Sequence, residues 1–344
     1  MKAIVFDPAI SDPQSALGGV TPDDIRIGGK RRFRKGHRFT ADDLPDLARV
    51  EHPIHIILIE PDEIHEDDAA IALAEAIAGQ GVERRNPIQS RVNLIADRKG
   101  LLRVDRDAVI ALNRLTGISV FTLLDGLAVV PGKNIAGAKI APVAIPKAVL
   151  DEALAIAARN PVVEVKPFTP KRVSVVTTEG LGEKVWDRFR ASVEQKIGWY
   201  GSSVTEFRDL LDDPDRVAEA ITEAIDDGAD VILTGGGNAL DPLDPTIRAL
   251  GDIGAEFVKF GAPAHPGSMF WLAYKGSTPI FSLASCSLYS RSTVADVVLP
   301  WIMADEQVEL DDMAGIGYGG LLDRDMSFRF PPYDAAEVHE PDEE

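Results

Sequence analysis

Apolar positions change their rhythm near the middle of the chain. From residue 173 onward, short apolar runs alternate with stretches of helical spacing. "VSVVTTEG" (173–180), the start of "ADVILTGGG" (229–237) and "EFVKFG" (256–261) read as strands, with a further strand in "SSVTEFRDLL" (202–211). A helix passes through Trp186 and Val193. "DPDRVAEAITEAIDDG" (213–228) puts Val217, Ile221 and Ile225 on one stripe, with Asp213 as the cap and Pro214 in the first turn. "DPTIRALG" (244–251) repeats the Asp-Pro start. "SMFWLAYKGSTPIFSLA" (268–284) reads as a hairpin about Gly276, and "SRSTVADVVLPWIM" (290–303) as a closing helix. Strands alternating with helices predict an open α/β sheet with helices on both faces.

The first half reads as β-rich α+β. "GGKRRFRKGHRFTADDLPDLARV" (28–50) gives a basic strand, a turn and a helix that Thr40 can cap, and "IHIILIE" (54–60) gives a strand. "HEDDAAIALAEAIAGQG" (65–81) is acidic at its start and Ala/Leu/Ile-rich inside, which predicts a helix stopped by Gly79. "RVNLIADRKGLLRVD" (91–105) alternates about a polar turn and predicts a hairpin; residues 117–145 predict several short strands. "PKAVLDEALAIAARN" (146–160) predicts a helix. Three prolines in "PVVEVKPFTPKR" (161–172) mark a linker or inter-domain strand. The expected division is therefore 1–165, 171–305 and an acidic tail, 306–344, partly draped and partly disordered.

Charge narrows the partners. The 344 residues carry 36 Lys plus Arg against 55 Asp plus Glu, a net charge of -19. Such a surface repels nucleic acid and anionic membrane, so neither is an expected partner. A phosphorylated ligand would have to be held locally, by backbone N–H groups, a few basic side chains or a metal. The single cysteine, Cys286, allows neither an internal disulfide nor a cysteine zinc cluster. With no signal-peptide h-region and no apolar run of membrane length, the reading is a soluble cytoplasmic protein.

In an open α/β sheet, ligands sit outside the carboxyl ends of the strands. Gly235, Gly236 and Gly237 lie there, where glycine lets the backbone approach a phosphate, and Thr234 adds a hydroxyl. Asp241 and Asp244 follow; they can hold a divalent cation or accept from a heterocycle's N–H groups, or Asp244 can simply cap its helix. "GAPAHPGS" (261–268) and "SLASCSLYSRS" (282–292) should converge on the same edge. The second brings Ser285, Ser287, Ser290 and Arg291 to a helix start, suited to a phosphate or to capping.

These stretches together resemble a known family. "ADVILTGGGNALDPLDP" (229–245) followed by "EFVKFGAPAHPGSMFWLAYKGSTPIFSLAS" (256–285) resembles the molybdopterin-binding domain of molybdenum-cofactor biosynthesis proteins. "GGKRRFRKGHRFTADDLPDL" (28–47) is similar to the lysine-glycine turn of molybdopterin molybdotransferases. Arg91 to Leu94, Phe260 to Gly267 and Cys286 resemble a subgroup also found fused to nucleotidyltransferase domains. Ser268 stands where molybdotransferases often place a lysine, and Ala284-Ser285 replaces the second Pro-Gly.

The resemblance implies a three-layer α/β domain with an open, mixed, mostly parallel sheet, preceded by a β-rich α+β region. It implies molybdopterin as the ligand or substrate, with Mg²⁺, and molybdate insertion into an adenylylated pterin as one reaction. The cofactor contacts it implies are Glu179, Thr234, Gly235, Gly236, Gly237, Asn238, Pro266, Gly267, Ser268, Ser285, Ser287 and Arg291, with Asp241 and Asp244 in the catalytic and metal roles. It also implies a homodimer and a molybdoenzyme partner. The alternatives are a non-catalytic molybdopterin carrier or sensor and, more weakly, a nucleotide pyrophosphatase.

Two other clusters have plainer readings. His52, His55 and His65, with Glu60, Asp62 and Glu63, lack metal-ligand spacing and read as a solvated acidic loop. "KRRFRK" (30–35) has five basic residues in six; in a chain this acidic it reads as a local anion patch or a dimer contact. Trp199, Tyr200 and Trp271 read as core or interface aromatics.

Overall fold

The computed structural model describes residues 1–88, 90–210, 213–235, 241–283 and 292–334. Residues 1–58 form a small unit around buried Phe6, Phe33, Phe39, Leu47 and Ile56. Within it Lys2–Phe6 pairs antiparallel with Ile54–Leu58, and Lys30–Phe33 with Ile25–Ile27. Thr40 caps as its sequence suggests: its N–H and hydroxyl both donate to Asp43 Oδ2 at 2.9 Å.

The next core is built on α1 (Glu66–Ile77), whose Ala69, Ala70, Leu73, Ala74 and Ile77 form one buried face. That face covers an antiparallel sheet in the order β1 (Val82–Arg84), β2 (Arg91–Ala96), β5 (Asn134–Ile140), β4 (Ile118–Thr122). A second sheet joins β3 (Gly100–Val104) to Ala128–Val129 on one side and to β6 (Val163–Pro167) on the other. The expected hairpin over 91–105 does not form, because β2 and β3 belong to different sheets. β2 pairs instead with β1 and β5, and β3 with Ala128–Val129 and β6, because alternation alone does not choose between these pairings. Proline-rich 161–172 contains β6, and α2 (Lys147–Ala157) precedes it.

His65 is buried rather than solvated. Its Nδ1 accepts from Asp67 N–H at 3.2 Å and caps α1, while Nε2 lies 3.2 Å from the Gly36 carbonyl oxygen. Beside it Glu66 is 2% exposed, and its Oε2 has no partner among the described residues. Burial pushes its carboxyl above the usual glutamate value, although a bond from Ser90 opposes this. A carboxyl raised in the fold contributes its stability while protonated and loses it as pH rises through the folded value. Glu66→Gln should therefore stabilise the protein at about pH 8 and have little effect near about pH 4. Urea unfolding at the two pH values checks this; a variant weaker than wild type at the higher pH contradicts it.

From residue 172 the chain forms three layers. The middle sheet runs β8 (Ser203–Asp209), β7 (Arg172–Thr177), β9 (Val231–Gly235), β12 (Thr278–Leu283), β11 (Trp271–Lys275), β10 (Glu256–Phe260). Its first four strands are parallel, while β11 is antiparallel to both neighbours, which gives the mostly parallel mixed sheet expected. Side chains alternate along the strands. Val173, Val175, Val231, Leu233 and Phe281 pack with α3 (Glu183–Trp199) and α6 (Val294–Met303). Val176, Ile232 and Ile280 pack on the other face with α4 (Pro214–Asp226) and α5 (Pro245–Asp252).

The two halves meet at the far end of α6. Arg103 lies over the Trp301 ring at 4.3 Å and pairs with Glu306 at 3.2 Å, and Thr169 N–H donates to the Met303 carbonyl at 2.8 Å. The acidic tail carries α7 (Leu310–Gly315) and a 3₁₀ turn over Arg324–Arg329, and is described through residue 334. Among the described residues, no helix is long and apolar enough to cross a membrane.

Candidate functional site

Strand order locates the crevice. From β7 the chain crosses to β8 on one side and then to β9 on the other, with α3 and α4 on opposite faces. The order therefore reverses between β7 and β9, where open α/β sheets leave a cleft at the carboxyl ends. The register is level there: Asp209 faces Thr177, Thr177 faces Gly235, and Gly235 faces Leu283. β10 runs parallel to β12, so the loop after Phe260 leaves from the same edge.

At the crevice the Gly235 carbonyl accepts from Thr178 N–H at 3.0 Å. A Cβ on Gly235 would come within 3.1 Å of Thr177 Oγ1, so a glycine keeps the two strand ends close. Thr177 Oγ1 accepts from Glu179 N–H at 3.2 Å, which fixes the turn that carries the exposed Glu179. Thr234 is 1% exposed, and its hydroxyl has no partner among the described residues. A buried hydroxyl in that state is costly unless something accepts from it or donates to it. Gly236, Gly237 and Asn238 lie outside the described residues, as do Ser285, Cys286, Ser287, Ser290 and Arg291.

Both aspartates hold local backbone. Asp241 Oδ1 accepts from Leu243 N–H at 2.8 Å, and Asp244 Oδ1 accepts from Thr246 N–H at 2.9 Å as the cap of α5. The capping role of Asp244 is therefore real. In each carboxylate these bonds engage Oδ1 and leave Oδ2 to other partners. Carboxylate oxygens of this kind suit a hard divalent cation. Among the described residues there is no cluster of three or more His, Cys, Asp or Glu able to hold a metal, the His52, His55 and His65 region included.

The Pro-Gly loop reaches the same edge. Pro266 and Gly267 pack on the start of α6, where Val294 N–H donates to the Pro266 carbonyl at 3.2 Å. Ala262 N–H donates to the Ser268 carbonyl at 3.0 Å and closes the loop. His265 is held from outside by the tail: its N–H donates to the Gly320 carbonyl at 2.8 Å, and its carbonyl accepts from Leu322 N–H at 2.7 Å. The edge thus gathers Glu179, Thr234, Gly235 and the Pro266–Ser268 turn.

Sequence reasoning passed over Thr177 and the pair Thr293 and Asp296. Thr293 Oγ1 accepts from Ala295 N–H at 3.3 Å, and Asp296 Oδ2 accepts from Thr293 N–H at 2.7 Å. The Thr-x-x-Asp spacing ahead of an apolar run was the available signal for this capping box.

Residues 172–304 match a family described as a probable molybdopterin binding domain. No curated protein matches the chain. Among solved structures, the molybdopterin biosynthesis enzyme MoaB of Thermus thermophilus is similar at 20% identity, covering 38% of this chain and 91% of that one, with a TM-score of 0.29. CinA of Thermoplasma acidophilum, of unknown function, shows 13% identity over 39% of this chain and 98% of its own, with a TM-score of 0.31. The molybdopterin biosynthesis MoeA protein of Pyrococcus horikosii shows 16% identity over 70% of this chain and 79% of its own, with a TM-score of 0.31. Residues 172–304 are thus similar to the probable molybdopterin binding domain that this family describes.

Proposed function

We propose that this chain binds molybdopterin at the β7–β9 crevice and handles it in molybdenum-cofactor biosynthesis, with molybdate insertion into an adenylylated pterin as the reaction. The observation that carries this reading is the buried Thr234 hydroxyl beside Gly235, without a partner among the described residues, at the point where strand order reverses. Pterin and phosphate would lie along Glu179, Thr234 to Asn238, Pro266 to Ser268, Ser285, Ser287 and Arg291. Mg²⁺ at Asp241 and Asp244 would supply charge neutralisation; positioning of the pterin by the loops supplies the rest. The reading includes a cytoplasmic homodimer that passes its product to a molybdoenzyme.

The test is titration of the purified protein with molybdopterin, with and without Mg²⁺, in wild type and in Asp241→Asn/Asp244→Asn. Asparagine still accepts the Leu243 and Thr246 N–H bonds, so the melting curve should not move. Wild type should bind at about micromolar affinity or tighter, near about -8 kcal/mol, and the variant about tenfold more weakly. A folded wild type that does not bind ends the proposal. A second reading, a non-catalytic carrier or sensor, is favoured by the backbone roles of both aspartates. It predicts binding without molybdate-dependent turnover.

A further inference from the structure

We propose that the cleft between the 125–127 turn, α6 and the tail is a binding site for a free α-amino acid with an apolar side chain. The inference does not rest on the function proposed for the β7–β9 crevice. The cleft has a volume of about 260 Å³, with Leu127, Val297, Trp301 and Ile316 among its walls. That is below the roughly 300–1,000 Å³ of pockets that take drug-sized ligands, so the occupant is small. Gly126 lets the turn lie against the Trp301 indole, because a Cβ there would come within 2.7 Å of Nε1.

Opposite charges line this cleft without pairing to each other. Arg329 comes from the 3₁₀ turn of the tail, and Asp311 and Asp312 from the first turn of α7. Arg329 donates to the Gly319 carbonyl through Nη1, while its buried Nε has no acceptor among the described residues. Nor does it form an ion pair among them. Burial pushes its guanidinium below the usual value, and no carboxylate acts to raise it. Asp312 Oδ2 accepts from Glu309 N–H at 2.8 Å, which turns it toward its own helix start. The side chain of exposed Asp311 has no hydrogen bond or ion pair among the described residues. Asp125, a third carboxylate at the cleft, is committed to Arg103 Nε at 3.1 Å and Val104 N–H at 2.7 Å.

These charges select the occupant. A half-buried guanidinium short of an acceptor is costly, and a carboxylate is its best-matched partner. An inorganic anion would satisfy Arg329 but be repelled by the aspartates. A simple cation would satisfy the aspartates but be repelled by Arg329. A small molecule that carries both charges meets neither penalty. In an α-amino acid the carboxylate goes to Arg329 and the ammonium to Asp311 and Asp312. Its side chain is left to Trp301, Val297 and Ile316, which reward apolar surface.

The experiment is calorimetric titration of the full chain with L-leucine, glycine, isoamylamine and isocaproate. The last two are leucine without its carboxylate and leucine without its ammonium. Leucine should bind, and glycine about tenfold more weakly, since it leaves the apolar walls uncovered. The amine and the acid should each bind at least about tenfold more weakly than leucine. Arg329→Gln and Asp311→Asn should each weaken leucine about tenfold. Arg324→Gln, at the exposed start of the same turn, should leave it unchanged. Circular dichroism confirms folding, and Asp311→Asn keeps the test sharp if Arg329→Gln loosens the tail, because the Asp311 side chain holds no other described group. The proposal is overturned if leucine does not bind, or if glycine, the amine or the acid binds as tightly. It is also overturned if the folded Asp311 and Arg329 variants bind like wild type, or if Arg324→Gln weakens binding as much as they do.

Discussion

Asp296→Ala is expected to destabilise the protein by about 3–5 kcal/mol. The carboxylate is 2% exposed at the start of α6 and satisfies three groups. Oδ1 lies 2.8 Å from Lys196 Nζ and accepts from the Tyr333 hydroxyl at 2.9 Å, while Oδ2 accepts from Thr293 N–H at 2.7 Å. Alanine removes the carboxylate paired with a lysine side chain that is only 16% exposed. It also takes the cap from the buried Thr293 N–H. Burial pushes the Tyr333 hydroxyl well above its usual value, so it remains a donor at all ordinary pH. Asp296→Asn keeps one acceptor oxygen, enough for the Thr293 N–H, and should cost less. Equilibrium urea unfolding measures both. A loss under about 1 kcal/mol for alanine would mean that the buried pair adds nothing over solvation.

Gly267→Ala is expected to cost about 2–4 kcal/mol. Gly267 adopts φ 111°, a backbone region that side chains rarely enter, so any Cβ is strained there. The new methyl would also sit 2.8 Å from Val294 Cγ1 and 3.0 Å from Val294 N, against the helix start that the loop supports. Relief requires the Pro266 carbonyl to leave the Val294 N–H. The variant should therefore unfold earlier in urea and bind molybdopterin more weakly, because the loop and α6 separate at the proposed site. Unchanged unfolding, within about 0.5 kcal/mol, would show that the loop relaxes freely.

The second half was largely legible because its signals are local. Asp213-Pro214 and Asp244-Pro245 each announce a helix, and both aspartates cap as the sequence suggests. The glycine run marks where β9 stops, although the structure describes only Gly235 of it. The first half was less legible. The alternation in 91–105 is the same whether the strands pair with each other or with β5 and β6, and only the rest of the fold decides. His65 looked solvated among its acidic neighbours, but its burial follows from the Gly36 turn closing over it, a contact between residues 29 apart in sequence. The Tyr333 bond to Asp296 and the Leu322 bond to His265 likewise lie beyond any local pattern.

The position of β12 bears on how the chain is made. It is the last strand of its sheet to emerge, yet it lies inside that sheet, between β9 and β11. A nascent chain lacking residues 278–283 therefore has β9 open along one side and a β10–β11 ribbon with nowhere to dock. Ile280 and Phe281, both fully buried in the finished fold, are what each is waiting for. Until they arrive, translation exposes two unpaired strand edges with apolar faces, the condition in which chains pair with one another. A pause in synthesis before residue 278 is then a more dangerous moment for this protein than one after residue 283.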